Sequence, residues 1–177
     1  MKIYTDVLSQ EVLHECCKEL SAKTSQNVWG SSTATWHDDI KSHCCGIVNY
    51  TDVPYNLALK LNDALYGQYF SPYKPATEII YQFYIWNKLS SINVHDDKKY
   101  SFGATLYLNN WKVDWGGLFV WKDKDEKKDY FHKALCPKKN MLVVNDNNES
   151  HTVTSISPYA PDCRFSIQIW GVVPESQ

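Results

Sequence analysis

Arginine is nearly missing from this sequence. Lysine and arginine together number 18 in 177 residues, and Arg164 is the one guanidinium among them. Excess charge of either sign is also lacking. The formal net charge is −2, which argues against a nucleic-acid electrostatic footprint or an acidic tail. No CxxC pair occurs: the six cysteines stand at Cys16, Cys17, Cys44, Cys45, Cys136 and Cys163. Two adjacent pairs and two singles match neither zinc-site spacing nor a secreted disulfide framework, so reduced thiols are expected. No apolar run of about 18 residues is present, which excludes a membrane-spanning helix of the usual kind. The opening MKIYTDVLSQ lacks the apolar core of a signal peptide. The expectation is a soluble, cytoplasmic protein with no membrane or nucleic-acid partner. Oligomeric state is not legible from composition.

What is present divides into two parts. A chain of 177 residues suits one domain, 1–177, with one sizeable core. Leu8–Ala22 reads as an amphipathic helix capped by Ser9, with Leu13, Cys16, Cys17 and Leu20 on one stripe. A second helix starts at Pro54 and carries Leu57, Leu61 and Leu65 toward Tyr66. Gln26–Asp52 is mixed and polar, and residues 1–76 are expected to form a helical support region. From Thr77 the period shifts to two. Strand patterns follow at Ile79–Trp86, Ser101–Leu108, Gly117–Trp121, Met141–Val144, Thr152–Ile156 and Arg164–Gly171. Short strands with no helices between them indicate an antiparallel double-sheet jelly roll of the cupin kind over 77–177. Lys122–Lys139 reads as a charged, solvated excursion between strands.

His95 and Asp97 stand two positions apart at the edge of a strand pattern. Residues i and i+2 on an extended strand share a face, so an imidazole and a carboxylate can meet at one point. A third donor, His151, lies 56 positions further on. Two histidines and one carboxylate form the facial set that holds Fe(II) and leaves the opposite coordination positions open. Zinc accepts the same donor types, so ligand chemistry alone does not choose between the metals. His37 and Asp39 repeat the spacing, but in a Ser/Thr-rich stretch ahead of the strands, which favours the later pair. His14, His43 and His132 lack such a context and read as solvent-facing or structural.

The final strand alternates Arg164, Ser166, Gln168 and Trp170 on one face against Phe165, Ile167 and Ile169 on the other. Its polar face is either an outer surface or a pocket wall. In the second case Arg164 forks onto a carboxylate and Ser166 adds a hydroxyl donor. Tyr107 shares a strand face with Thr105 and is either a core ring or a further donor to that carboxylate. Gln82, Tyr84 and Trp86 share a face of the first strand, to line a cavity or pack it.

Taken together, HDD at 95–97, LYLNN at 106–110, WGG at 115–117, SH at 150–151 and RFS at 164–166 resemble the 2-oxoglutarate and Fe(II)-dependent dioxygenases. The prolyl-hydroxylase-like branch is the nearest, with its tryptophan six residues past the arginine, here Trp170. The resemblance spans about Ile79–Gly171. It implies a double-stranded β-helix in which His95, Asp97 and His151 bind Fe(II). It also implies that Arg164, with Ser166, Tyr107 and Tyr84, binds the 2-oxoglutarate cosubstrate. Oxygen is the second cosubstrate, and ascorbate a stimulant of turnover. The implied reaction hydroxylates an unactivated C–H bond and releases succinate and CO2.

Two departures bear on the substrate: a longer stretch between His151 and Arg164, and a differing N-terminal region. A peptidyl proline or similar exposed side chain is the first expectation. The same chemistry on a free small molecule or nucleobase is the second, with Trp86, Trp111, Trp115 and Trp121 as stacking candidates. The third is a non-catalytic jelly-roll binding module, against which three converging ligands argue. Loops Asn87–Asn93, Asn109–Trp115 and Lys122–Pro137 are expected at the entrance.

Overall fold

Strand β11 (Arg164–Val172) is the middle of the molecule, and its alternation sets what each side of the main sheet does. The computed structural model describes residues 1–31, 44–73, 76–122, 133–146 and 149–173. In chain order these form β1 (Lys2–Thr5), α1 (Gln10–Gln26), β2 (Gly30–Ser31), β3 (Val48–Asp52), α2 (Tyr55–Leu65), β4 (Glu78–Trp86), β5 (Ile92–His95) and β6 (Tyr100–Tyr107). β7 (Phe119–Trp121), β8 (Lys133–Leu135), β9 (Met141–Asp146), β10 (His151–Val153) and β11 follow. One sheet has the order β1-β9-β6-β11-β4-β3-β2, and a smaller one β5-β10-β7-β8. The pairings are antiparallel throughout, giving the expected jelly roll.

Both expected helices form for the expected reasons. The Ser9 hydroxyl accepts the Val12 amide at 3.3 Å to open α1, and Asn27 closes it with left-handed backbone at φ 54. In α2 the stripe Leu57, Leu61 and Leu65 is buried. Each such leucine contributes about 1.5–3 kcal/mol relative to an exposed position. A single π-turn, Tyr66–Phe70, carries the chain onward and buries Phe70 against Phe102, ring centroids 4.5 Å apart.

The first 76 residues are more than a helical support. They also supply β1, β2 and β3, so the main sheet extends well beyond the 77–177 core. KIYT pairs with β9, and VNYTD pairs with β4. These runs are short, and half their side chains are polar. Their strand character comes from the open edges they cover rather than from their own periodicity.

The main sheet has two unlike faces. Phe83, Ile85, Leu106, Ile167, Ile169, Leu142 and Val144 point one way and form a core with the helices. The alternate residues point toward the smaller sheet. There a second apolar cluster, including Trp111, Phe119, Trp121, Met141 and Ile156, shares the space with a cavity of about 680 Å³. The expected charged excursion lies mostly outside the described residues. No helix among the described residues is long and apolar enough to cross a membrane. None of the six cysteines is bridged.

Candidate metal centre and cosubstrate pocket

His95 ends β5 and His151 begins β10, and the two are direct partners in the antiparallel register. Their ring centroids are 4.2 Å apart at 54°. Asp97 follows in the loop to β6. Its Oδ2 reaches within 3.7 Å of His151 Nε2. One donor atom from each of the three residues lies within 4.8 Å of the others, close enough to share one cation.

Each imidazole is oriented by its other nitrogen. His95 Nδ1–H donates to the Asn93 carbonyl at 2.7 Å. The Glu149 carbonyl takes the corresponding bond from His151 Nδ1–H at 3.1 Å. Such bonds place the remaining lone pair on Nε2, the arrangement found behind histidine ligands. His151 is buried, with Phe119 stacked on it at 5.1 Å and 16°. Burial, then the neighbouring His95, pushes its pKa down from 6.5 to about 4, against the pull of Asp97. The ring therefore stays neutral and available as a ligand through the physiological range.

The cavity wall is built in rows across the main sheet. Trp86 and Arg164 are direct partners; Tyr84, Ser166 and Tyr107 form the next row; Gln82, Gln168 and Thr105 the next. Arg164 lies at one end of this wall and is 1 % exposed. Its guanidinium stacks over Trp86 at 4.6 Å and stands 5.6 Å from the Tyr107 ring. Nη1 donates to the Gly117 carbonyl, so the second glycine of the WGG motif meets the arginine directly. Among the described residues no carboxylate pairs with it, and Nε has no hydrogen-bond acceptor. Burial accordingly lowers its pKa, an effect that Tyr107 partly offsets.

Beside it the Tyr107 hydroxyl and Ser166 Oγ are buried without a hydrogen-bond partner among the described residues. Burial raises the Tyr107 pKa and keeps the phenol protonated, despite the lowering influence of Arg164. A buried cation and two idle hydroxyls on adjacent rows are costly alone. They suit a ligand that brings a carboxylate. The donor set and the orphaned cradle thus fit Fe(II) and a dicarboxylic keto acid respectively.

The residues singled out from sequence distribute unevenly. His95, Asp97, His151, Arg164, Tyr107 and Tyr84 line the cavity; Ser166 is buried in the same wall without being part of its lining. His37, His43 and His132 lie outside the described residues, and His14 is exposed on α1. Of the tryptophans proposed for stacking, Trp86 lines the cavity but Trp111, Trp115 and Trp121 do not. Trp111 donates instead to the Gly116 carbonyl at 2.8 Å and packs edge-on against Trp115. The segment 109–115 therefore braces the glycine turn rather than the entrance. The β5–β6 connection lines the cavity from Asp96 to Lys99, with Lys98 and Lys99 exposed. Sequence reasoning missed Gly103 and Asn145, whose neutral side chains carry no ligand signal.

Comparison with known proteins agrees with this arrangement. The sequence profile of the 2OG-Fe(II) oxygenase superfamily matches residues 81–171. Among solved structures, a Pseudomonas putida prolyl-4-hydroxylase superposes with a TM-score of 0.67 at 16 % identity, covering 98 % of this chain and 92 % of that one. A Trichoplax adhaerens prolyl hydroxylase, solved with a hypoxia-inducible-factor oxygen-degradation-domain peptide, gives 0.70 at 14 %, covering 96 % and 81 %. HygX from Streptomyces hygroscopicus, solved with nickel, 2-oxoglutarate and hygromycin B, gives 0.65 at 10 %, covering 97 % and 82 %. No curated protein matches at the level of sequence. The matched profile covers more than half of the chain, every motif that lines the cavity lies within it, and the jelly roll is the one these enzymes share. The chain belongs to the 2OG-Fe(II) oxygenase superfamily, and is a dioxygenase that depends on Fe(II) and 2-oxoglutarate.

Proposed function

We propose that His95, Asp97 and His151 are the Fe(II) ligands and that Arg164 receives the far carboxylate of 2-oxoglutarate. The observation that carries this is the buried Arg164 guanidinium, which lacks a carboxylate partner among the described residues and lines the cavity that also holds the His-Asp-His cluster. Tyr107 and Ser166 stand ready to donate to the same carboxylate, and Tyr84 flanks it on the neighbouring strand. Fe(II), 2-oxoglutarate and oxygen together supply the oxidising power, yielding succinate and CO2 as the C–H bond is hydroxylated. The protein's own work is to fix the Nε2 lone pairs, hold the keto acid by its far end and exclude water. Phe119, Trp86 and Val153 supply the apolar lining for that exclusion.

The substrate of this reading is a peptidyl proline or a similar exposed side chain. The similarity of the whole chain to two prolyl hydroxylases supports it. Lys98 and Lys99 are exposed residues of the cavity lining, beside which a chain could enter. Incubating protein, Fe(II), 2-oxoglutarate and oxygen with proline-containing peptides should give a peptide mass gain of one oxygen and matching succinate. Succinate without any modified peptide would refute the peptide substrate while keeping the chemistry.

A second reading takes a free small molecule. Tyr50, Tyr84, Trp170 and Tyr100 form a run of rings along the cavity wall, with centroid spacings of 6.0, 5.8 and 5.7 Å. Such a run suits a ligand with an apolar or planar ring. A small-molecule screen read by succinate release tests it.

A further inference from the structure

We propose that Asn145 is a positioning residue for the metal centre, seating Asp97 from the neighbouring strand with Gly103 as its floor. The inference rests on His95, Asp97 and His151 being the ligands. Asn145 is 3 % exposed at the end of β9, where an uncharged amide has no evident packing purpose. Its Nδ2 donates to Asp97 Oδ2 at 3.2 Å and lies 2.9 Å from His151 Nδ1. One amide thus touches two of the three ligands, which come from separate parts of the chain. Oδ1 of the same side chain has no partner among the described residues. Flipping the amide would turn that oxygen onto the Asp97 carboxylate, so the bond to Asp97 holds the donor forward; Nδ2 lies beside His151 Nδ1–H without bonding to it, since that proton goes to Glu149.

Gly103 faces Asn145 directly across the β6–β9 pairing. A Cβ built there would lie 2.6 Å from Asp97 Oδ2. The carboxylate therefore rests on bare backbone, with the Asn145 amide beside it. Asp97 sits in a loop and has no strand pairing of its own to hold it. Its aim depends on this seat. His151 is held otherwise: when Nε2 is the ligand, its Nδ1 proton goes to Glu149, and the Asn145 amide limits how far the ring can turn.

Groups behind metal ligands typically change metal affinity by about 10–100-fold when removed. The test is a titration with Co(II), read by its visible ligand-field bands, on wild type, Asp97→Ala, Asn145→Ala and Asn145→Asp. Wild type should bind, Asp97→Ala should not, and both Asn145 variants should bind about 10–100-fold more weakly with altered bands. Asn145→Asp separates roles. It keeps the volume and removes the donor while adding a carboxylate beside the ligands, so only wild-type affinity together with unchanged bands, which exclude a new carboxylate ligand, would make Asn145 mere packing and overturn the proposal. Wild-type affinity in Asn145→Ala would overturn it as well. Failure of wild type to bind Co(II) would remove the ligand reading and this inference together. Should Asn145→Ala not fold by near-ultraviolet circular dichroism, Gly103→Ala disturbs the same carboxylate from its other side. It should weaken Co(II) similarly, and unchanged affinity there would also refute the seat.

Discussion

Replacing Arg164 with methionine separates a cosubstrate clamp from a structural arginine. Methionine keeps much of the volume and removes the charge. In the ligand-free protein the change removes one hydrogen bond to Gly117 and the stacking on Trp86. These are worth about 1.5–3 and about 0.5–2 kcal/mol respectively. It also removes a buried cation with no counter-charge among the described residues, whose desolvation costs several kcal/mol. The two sides nearly cancel, so the variant should fold with a midpoint close to wild type or slightly above. Cosubstrate binding should not survive so well. Losing a forked, charge-assisted contact with a carboxylate forfeits roughly 3–4 kcal/mol, about 10²–10³ in affinity. Calorimetric titration of 2-oxoglutarate into Co(II)-loaded protein measures it, and thermal unfolding measures the other half. A variant that unfolds but never loses affinity when folded would show the guanidinium to be structural, and the reasoning would fail.

Four further outcomes follow from the same geometry. His95→Ala or Asp97→Ala should abolish binding of Fe(II), followed anaerobically by equilibrium dialysis, whereas His37→Ala should leave it intact; the opposite pattern would move the metal site to the earlier HxD. Protein stripped of metal should lose stability as pH falls below 6.5, because unfolded His151 takes up a proton there while the folded ring resists until about 4. Urea midpoints across that window, compared with His151→Gln, should show a slope that the variant flattens. Gly116→Ala should be severely destabilising: φ is +64 and the added Cβ would lie 2.1 Å from the Ser155 carbonyl oxygen. A cost of about 2–4 kcal/mol, or roughly 5–15 °C in midpoint, is expected by thermal unfolding. Tyr107→Phe should raise the KM for 2-oxoglutarate by about fivefold to twentyfold with kcat little changed, since it deletes one neutral donor to the bound carboxylate.

Much of this site was legible because its chemistry is written in scarce residue types. One arginine in 177 residues, set on an alternating strand, points to a pocket by its rarity, and the structure finds it buried with no carboxylate partner among the described residues. The two-residue spacing of His95 and Asp97 was also readable, although Asp97 proves to stand just past the strand rather than on it. The helices were legible through capping and a leucine stripe. The short strands β1, β2, β3, β5 and β8 were not, since pairing partners rather than periodicity create them. The tryptophans misled for a related reason. An indole donor finds a backbone carbonyl in a buried turn as readily as it lines a pocket, and Trp111 takes that course with Gly116.

Register explains why so few residues suffice. Because β11 pairs with both β4 and β6, Ser166, Gln168 and Trp170 each meet a partner from either side at the same height, and Arg164 meets Trp86 on β4. Arg164, Ser166, Gln168 and Trp170 thereby become four successive rows of one wall, graded from cation to hydroxyls to amides to rings. In the third row the Gln168 amide oxygen accepts from the Thr105 hydroxyl at 2.8 Å and Gln82 donates to Asp52 at 2.8 Å. Among the described residues, the buried Arg164 Nε, Tyr107 hydroxyl and Ser166 Oγ, which have no hydrogen-bond partner, stand in the first two rows. On the proposed reading, a ligand carboxylate docks at that end of the wall, away from the Trp170 ring at the other end, whose β11 position pairs with Gly103. Shifting β11 by one residue would turn every one of these side chains into the helix-packed core. The apolar alternation of Phe165, Ile167 and Ile169 thus fixes the chemistry of the opposite face as firmly as it fixes the fold.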